Sequence, residues 1–182
     1  MWIYLLVGLG VGVLAVMFTV LRQEKRYRVL FSDTHLAALA EAVDTSRRGD
    51  LGTTFEGLTV SYHPLPKHLA LRIRSAKPIA KPAARFLLAF VDALVRGEAR
   101  GDGAGEARAE GEGATRAEGD TDACHFLSSG NTMALVWSRE SGVDLEHGSI
   151  AFDADRVQAV RAVAADRMRD LVVVEGTLEA YA

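Results

Sequence analysis

Between Gly57 and Val91 the sequence holds no aspartate or glutamate, yet it carries Lys67, Arg72, Arg74, Lys77, Lys81 and Arg85. Unopposed cations either form a solvated basic face or hold anions such as lipid headgroups. Arg72, Arg74, Lys77, Lys81 and Arg85 are therefore the candidate anion-binding residues. Pro82 suits the first position of a helix, which puts Lys81 and Arg85 near a helix N-terminus. The helix macrodipole disfavours cations there unless something compensates them, and an anion on the exposed N–H groups would supply that compensation. Nucleic acid fits poorly, because the patch lacks exposed aromatic residues for base stacking and carries no reading motif.

Combinations able to carry catalysis are thinner. Cys124 and His125 are adjacent, but neighbours on a strand point to opposite faces, so they make a poor nucleophile and base pair. Ser128-Ser129-Gly130 lacks the G-x-S-x-G elbow and reads as a hairpin turn. Asp144, Glu146, His147, Asp153 and Asp155 show no established ligand spacing, and a polar loop followed by a helix cap accounts for them. His63 and His68 flank a proline turn and read as exposed turn residues. No catalytic residue, metal ligand or cofactor is assigned. With Cys124 as its single cysteine, the chain excludes an intrachain disulfide and a cysteine zinc cluster, which suits a reducing compartment.

The elements that position these residues follow from periodicity. Ser32-Asp33 is a helix cap, followed by Leu36, Leu39, Ala40 and Val43 at spacings of three and four, with Gly49 as the stop. Leu58 to Tyr62 and Leu69 to Arg74 alternate as strands around the turn HPLPKH. In the second strand Leu69, Leu71 and Ile73 share the core face, so Ala70, Arg72 and Arg74 share the other. A buried helix carries Phe86, Leu87, Phe90, Val91 and Leu94 and ends at Gly97. Cys124 to Leu127 and Thr132 to Trp137 form a hairpin. A short segment Ser149 to Phe152 follows, and Asp153 caps a helix with Val157, Val160, Ala164 and Met168 on its buried stripe. Leu171 to Val174 reads as a continuous apolar strand, central in the sheet. Two strand-strand-helix units result, and the simplest packing is an α+β domain: an antiparallel sheet with helices on one face.

Two stretches stand apart. Residues 97–122 contain only Gly, Ala, Glu, Asp, Arg and Thr, with GEAR at 97 and 105 and RAEG at 108 and 116. Such low complexity cannot build a core and predicts a disordered acidic loop, able to fold back on the basic face. Residues 2–21 are uncharged and apolar, long enough for a helix of about 30 Å, the hydrocarbon thickness of a bilayer. A cleaved signal peptide would want a basic n-region and a small-x-small site; no Lys or Arg precedes the run, and no small-x-small pair sits between the run and the charges that follow. Arg22, Lys25, Arg26 and Arg28 all follow the run, so the positive-inside bias predicts a cytoplasmic C-terminal domain. Gly8, Gly12, Ala15 and Thr19 give the anchor a small-residue face suited to a homodimer.

The expected plan is thus a transmembrane anchor (1–21), a basic juxtamembrane segment (22–31) and a cytoplasmic domain (32–182) interrupted by the acidic loop. Abundant Arg, Ala, Gly and Val over Lys suggests a GC-rich bacterial gene. The expected function is a non-catalytic binding or scaffolding module at the cell membrane, meeting anionic lipid headgroups or a protein partner. A membrane-associated hydrolase using the Asp144 to Asp155 region, and an accessory subunit of a membrane complex, are the alternatives.

Overall fold

The computed structural model describes residues 17–18, 29–97, 124–143, 145 and 153–181. Among them no helix is long and apolar enough to cross a membrane. The proposed anchor, apart from Met17 and Phe18, lies outside the described residues, as do the basic segment 22–28, the acidic loop beyond Gly97 and the Ser149 to Phe152 segment.

Among the described residues three long helices and six strands make a mixed α+β fold. Helix α1 (Asp33–Arg47) starts where Ser32 accepts a hydrogen bond from the His35 amide at 3.3 Å, and its hydroxyl donates to the Val29 carbonyl at 2.8 Å. Asp33 in its first turn and Arg47 in its last complement the helix dipole. Strands β1 (Gly52–Thr53), β2 (Leu58–Pro64) and β3 (His68–Ser75) lead into α2 (Lys81–Arg96), which has Pro82 in its first turn and Gly97 at φ 72° as its cap. Strands β4 (Cys124–Ser129) and β5 (Thr132–Ser138) are joined by Gly130 and Asn131. Gly130 has φ 58°, and a positive φ at the first of two loop residues is what a type II′ turn reserves for glycine. Asp153 caps α3 (Ala154–Arg167), its carboxylate accepting from the Arg156 amide at 2.8 Å. Strand β6 (Val173–Glu175) follows, and a 3-10 turn, Leu178–Tyr181, ends the described chain.

The strands form one sheet in the order β1-β2-β3-β5-β4-β6. Two expectations need correction here. The sheet is not wholly antiparallel, since β6 pairs parallel with β4. Nor is the Leu171 to Val174 stretch central: β6 sits at the end of the strand order with Val172 and Val174 exposed. The chain reaches it from α3, which returns to the end where β4 begins, so a parallel edge position is the nearest one open. The two-residue strand β1 was too short to register as a pattern.

All three helices cover one face of the sheet. Leu58, Val60, Leu69, Leu71, Ile73, Met133, Leu135 and Trp137 pack there against Leu36, Leu39, Val43, Leu87, Phe90, Leu94, Val157 and Val160 in one core. Each such aliphatic or aromatic side chain stabilises the fold by about 1.5–3 kcal/mol through burial. On the outer face a smaller cluster, Ala70, Leu127, Ala134 and Val136, is covered by Leu178 with Tyr181 alongside. Among the described residues both clusters lie between Leu30 and Tyr181.

Register determines which ends lie together. Leu58 faces Ser75, Arg74 faces Thr132 and Ser129 faces Thr132, which gathers the start of β2, the end of β3 and the β4–β5 turn at one end of the sheet. Helix α1 begins at the same end, where the His35 ring lies 4.9 Å from that of Phe55 in the β1–β2 turn. Helix α2 begins there as well, because it follows β3 after five residues.

Candidate anion-binding surface

At the Gly130 end of the sheet the cations divide between two sides of the β4–β5 turn. Arg72 and Arg74 alternate on β3 and stand on the outer face, opposite Ser61 and Thr59 of β2 and Ala134 and Thr132 of β5. They line a cleft of about 170 Å³ with Ser129, Thr132, Thr177 and Glu179, and an adjoining groove with Leu51, Gly57 and Ser61. Lys81 and Arg85 lie on the helical side, lining a cavity of about 390 Å³ with Ser128, Gly130 and Glu175. Lys77 follows β3 on the loop between them, its amide donating to the Ser75 hydroxyl at 3.3 Å. The structure thus brings the five residues to one end of the domain but not into one pocket.

Charge there is largely unopposed. Among the described residues none of the five makes an ion pair. Helix α2 has Ala80 at its N-cap with no side-chain hydrogen bond, and its first turn contains no acidic residue. Glu175 and Glu179 are the carboxylates at the two cavities, and Glu56 lies in the β1–β2 turn. Glu179 is fully exposed. A hydrogen bond from the Thr177 side chain holds its carboxyl below the usual range, with a smaller contribution from the charge of Arg72. Phe55, 61% exposed, adds an apolar ring at the same end.

The histidines occupy separate environments. His63 shares a 2.9 Å hydrogen bond with Ser61, and burial, then the charge of Arg72, lowers its pKa. His68 lies at the opposite end of β3, with Tyr181 5.4 Å away and edge-on to its ring, and Tyr181 is also 5.5 Å from His125. His35 is fully buried on α1 without a hydrogen-bond partner on either ring nitrogen, and burial lowers its pKa.

A polar centre that sequence reasoning missed lies inside the core. Buried Asp92 on α2 accepts from the Trp137 indole at 2.7 Å, from Arg96 at 3.0 Å and from Arg167 at 3.2 Å. Burial first, and then the charge and hydrogen bonding of Asp92, push the Cys124 thiol far up, away from the thiolate that nucleophilic chemistry needs. His125 is on the other face of β4, near Tyr181, so the two adjacent residues do not meet. The i,i+4 pair Asp92 and Arg96 was legible in the sequence, whereas Trp137 and Arg167 arrive from 45 and 75 residues away.

Of the residues considered for hydrolysis, Asp144, Glu146 and His147 lie outside the described residues, and Asp153 is engaged as the α3 cap. Among the described residues no group of three His, Cys, Asp or Glu side chains converges as a metal site. No protein-family model, curated protein or solved structure matches the chain.

Proposed function

We propose that the domain is a non-catalytic module tethered to the cytoplasmic side of a membrane by residues 2–21, and that it rests its Gly130 end on anionic headgroups. One observation carries this reading. The start of the domain, Val29 to Ser32, lies at the end that also holds Arg74, Lys77, Lys81 and Arg85: Phe31 packs on Phe86 and His35 on Phe55. A tether ending at Arg28 would therefore bring the basic end towards the bilayer. There each cation contributes about 1 kcal/mol of attraction to an anionic surface. Phe55 supplies an aromatic ring able to enter the headgroup layer. Gly8, Gly12, Ala15 and Thr19 would let two anchors pack, and paired domains would double the contact.

Hydrogen exchange on the full chain in lipid nanodiscs tests the reading. Amides of the 54–57 turn and of residues 76–81 become protected in phosphatidylglycerol discs relative to phosphatidylcholine discs, and high salt removes the difference. Identical exchange in both lipids would refute docking. Failure of the chain to enter discs would refute the anchor.

A further inference from the structure

The outer-face cleft has a composition of its own. Two guanidinium groups stand side by side on β3, and their four cross-strand neighbours, Ser61, Thr59, Ala134 and Thr132, are small and neutral. Like charges on one strand face repel, and among the described residues neither arginine makes an ion pair. The hydroxyls of Ser129 and Thr132 lie along the same cleft and can donate hydrogen bonds. The far wall is the turn from Gly176 to Glu179, which Leu178 fastens onto the small apolar cluster. The result is a concave site with two forked cationic donors and two hydroxyls, a donor set suited to a doubly charged ligand with several terminal oxygens. A phosphomonoester has that form: two charges and three terminal oxygens. A phosphodiester has one charge and two.

We propose that the Arg72–Arg74 cleft is a phosphomonoester site and that the Glu179 carboxylate competes with the ligand for Arg72. Among the described residues Glu179 is the single acidic one lining the cleft, close enough to Arg72 for their charges to interact, and fully exposed. It belongs to a short turn rather than to the sheet, so it can move aside while the sheet keeps its form. The site lies across the sheet from Lys81 and Arg85 and shares only Arg74 with the docking end. Its ligand can be a soluble phosphate ester or a monophosphorylated lipid headgroup, which offer the same chemistry.

Calorimetric titration of the full chain in neutral maltoside micelles at low salt tests the site. Inorganic phosphate is one probe, and micelles doped with phosphatidic acid or with phosphatidylglycerol are the others. Saturable one-to-one binding of phosphate or phosphatidic acid is expected, with phosphatidylglycerol weaker. Arg72→Gln weakens binding about tenfold or more, Arg72→Lys weakens it several-fold by removing the fork while keeping the charge, and Glu179→Gln strengthens it several-fold. Lys81→Gln leaves it unchanged. Tighter binding of phosphatidic acid than of phosphate, lost in Arg72→Gln and kept in Lys81→Gln, identifies a lipid source, and equal binding identifies a soluble ester. Absence of saturable binding to both overturns the site, as does equal loss in Lys81→Gln and Arg72→Gln. Weaker binding by Glu179→Gln overturns the competition. The phosphate arm does not involve docking, and in the phosphatidic acid arm the contrast of Arg72→Gln with Lys81→Gln separates the cleft from the docking end.

Discussion

Phe31 packs against Phe86 with ring centroids 4.5 Å apart and planes tilted by 55°. The contact fixes the start of the domain to the first half of α2, one residue from Arg85, and Phe86 in turn stacks on Phe90 deeper in the core. Whatever precedes Val29 therefore joins the domain at its basic end. From this relationship the position of the cations becomes a question of attachment as well as of charge.

Asp92 sets the first prediction. Asp92→Ala leaves the Trp137 N–H without its acceptor and removes the counter-charge of Arg96 and Arg167 inside a packed region. Leaving the buried indole donor unsatisfied costs about 1–3 kcal/mol, to which Arg96 and Arg167, both partly exposed to solvent, add less. Trp137→Phe removes a hydrogen bond and some ring area but leaves both arginines paired, so it costs less. Urea midpoints of the two variants give the order.

Gly52 is required by a close approach. A Cβ added there would lie 2.0 Å from the Ala42 carbonyl oxygen, a backbone atom of α1. Gly52→Ala must push β1 away from the helix and lowers stability by roughly 1–3 kcal/mol. Gly130→Asn, at a turn with open space around it, costs less. Thermal melts of both variants compare them directly.

Protonation of His35 opposes folding. Burial lowers its folded pKa below the ordinary 6.5, while Glu56 raises it to a smaller extent. The unfolded chain therefore binds the proton more readily. The stability linked to His35 is complete above the unfolded pKa and is lost as pH falls towards the folded one. His63 shifts the same way, so the two add. Unfolding free energy should fall between about pH 8 and pH 5. His35→Phe should flatten that slope, and an unchanged slope would assign it elsewhere.

Cys124 should be inert. Its thiol is pushed up by burial and by Asp92, and the thiolate is the reactive form. Alkylation of the native protein should be slower than that of the urea-unfolded chain by a factor of about 100 or more. Asp92→Ala should speed it in the folded state.

Local signals were legible in the sequence because local chemistry forms them. Ser32 and Asp153 accept the capping bonds their types imply, Pro82 opens α2, and Gly97 and Gly130 take the positive φ their positions require. Alternation on β3 separated Leu71 and Ile73 from Arg72 and Arg74 correctly. Long-range pairing was not legible. An apolar run such as Leu171 to Val174 suggests a central strand, but its place at the edge depends on where α3 releases the chain. His35 reads as a polar helix residue, although Phe55 and the β1–β2 turn bury it. The charge gap from Gly57 to Val91 marked the cations of the proposed site. Its division between two cavities, and the closing of one by Thr177 and Glu179, needed the parallel β4–β6 pair that carries the last turn onto the outer face.

The central claim is that the basic end is a surface for anionic lipid, and vesicle co-sedimentation of residues 29–182 tests it most directly. The account predicts binding to phosphatidylglycerol vesicles at low salt, none to phosphatidylcholine vesicles, and loss at high salt as screening shortens the reach of the charges. Replacing Lys77, Lys81 and Arg85 together by Gln should abolish binding, and Phe55→Ser should weaken it. Equal binding to both vesicle types, or none to anionic vesicles at low salt, would contradict the account.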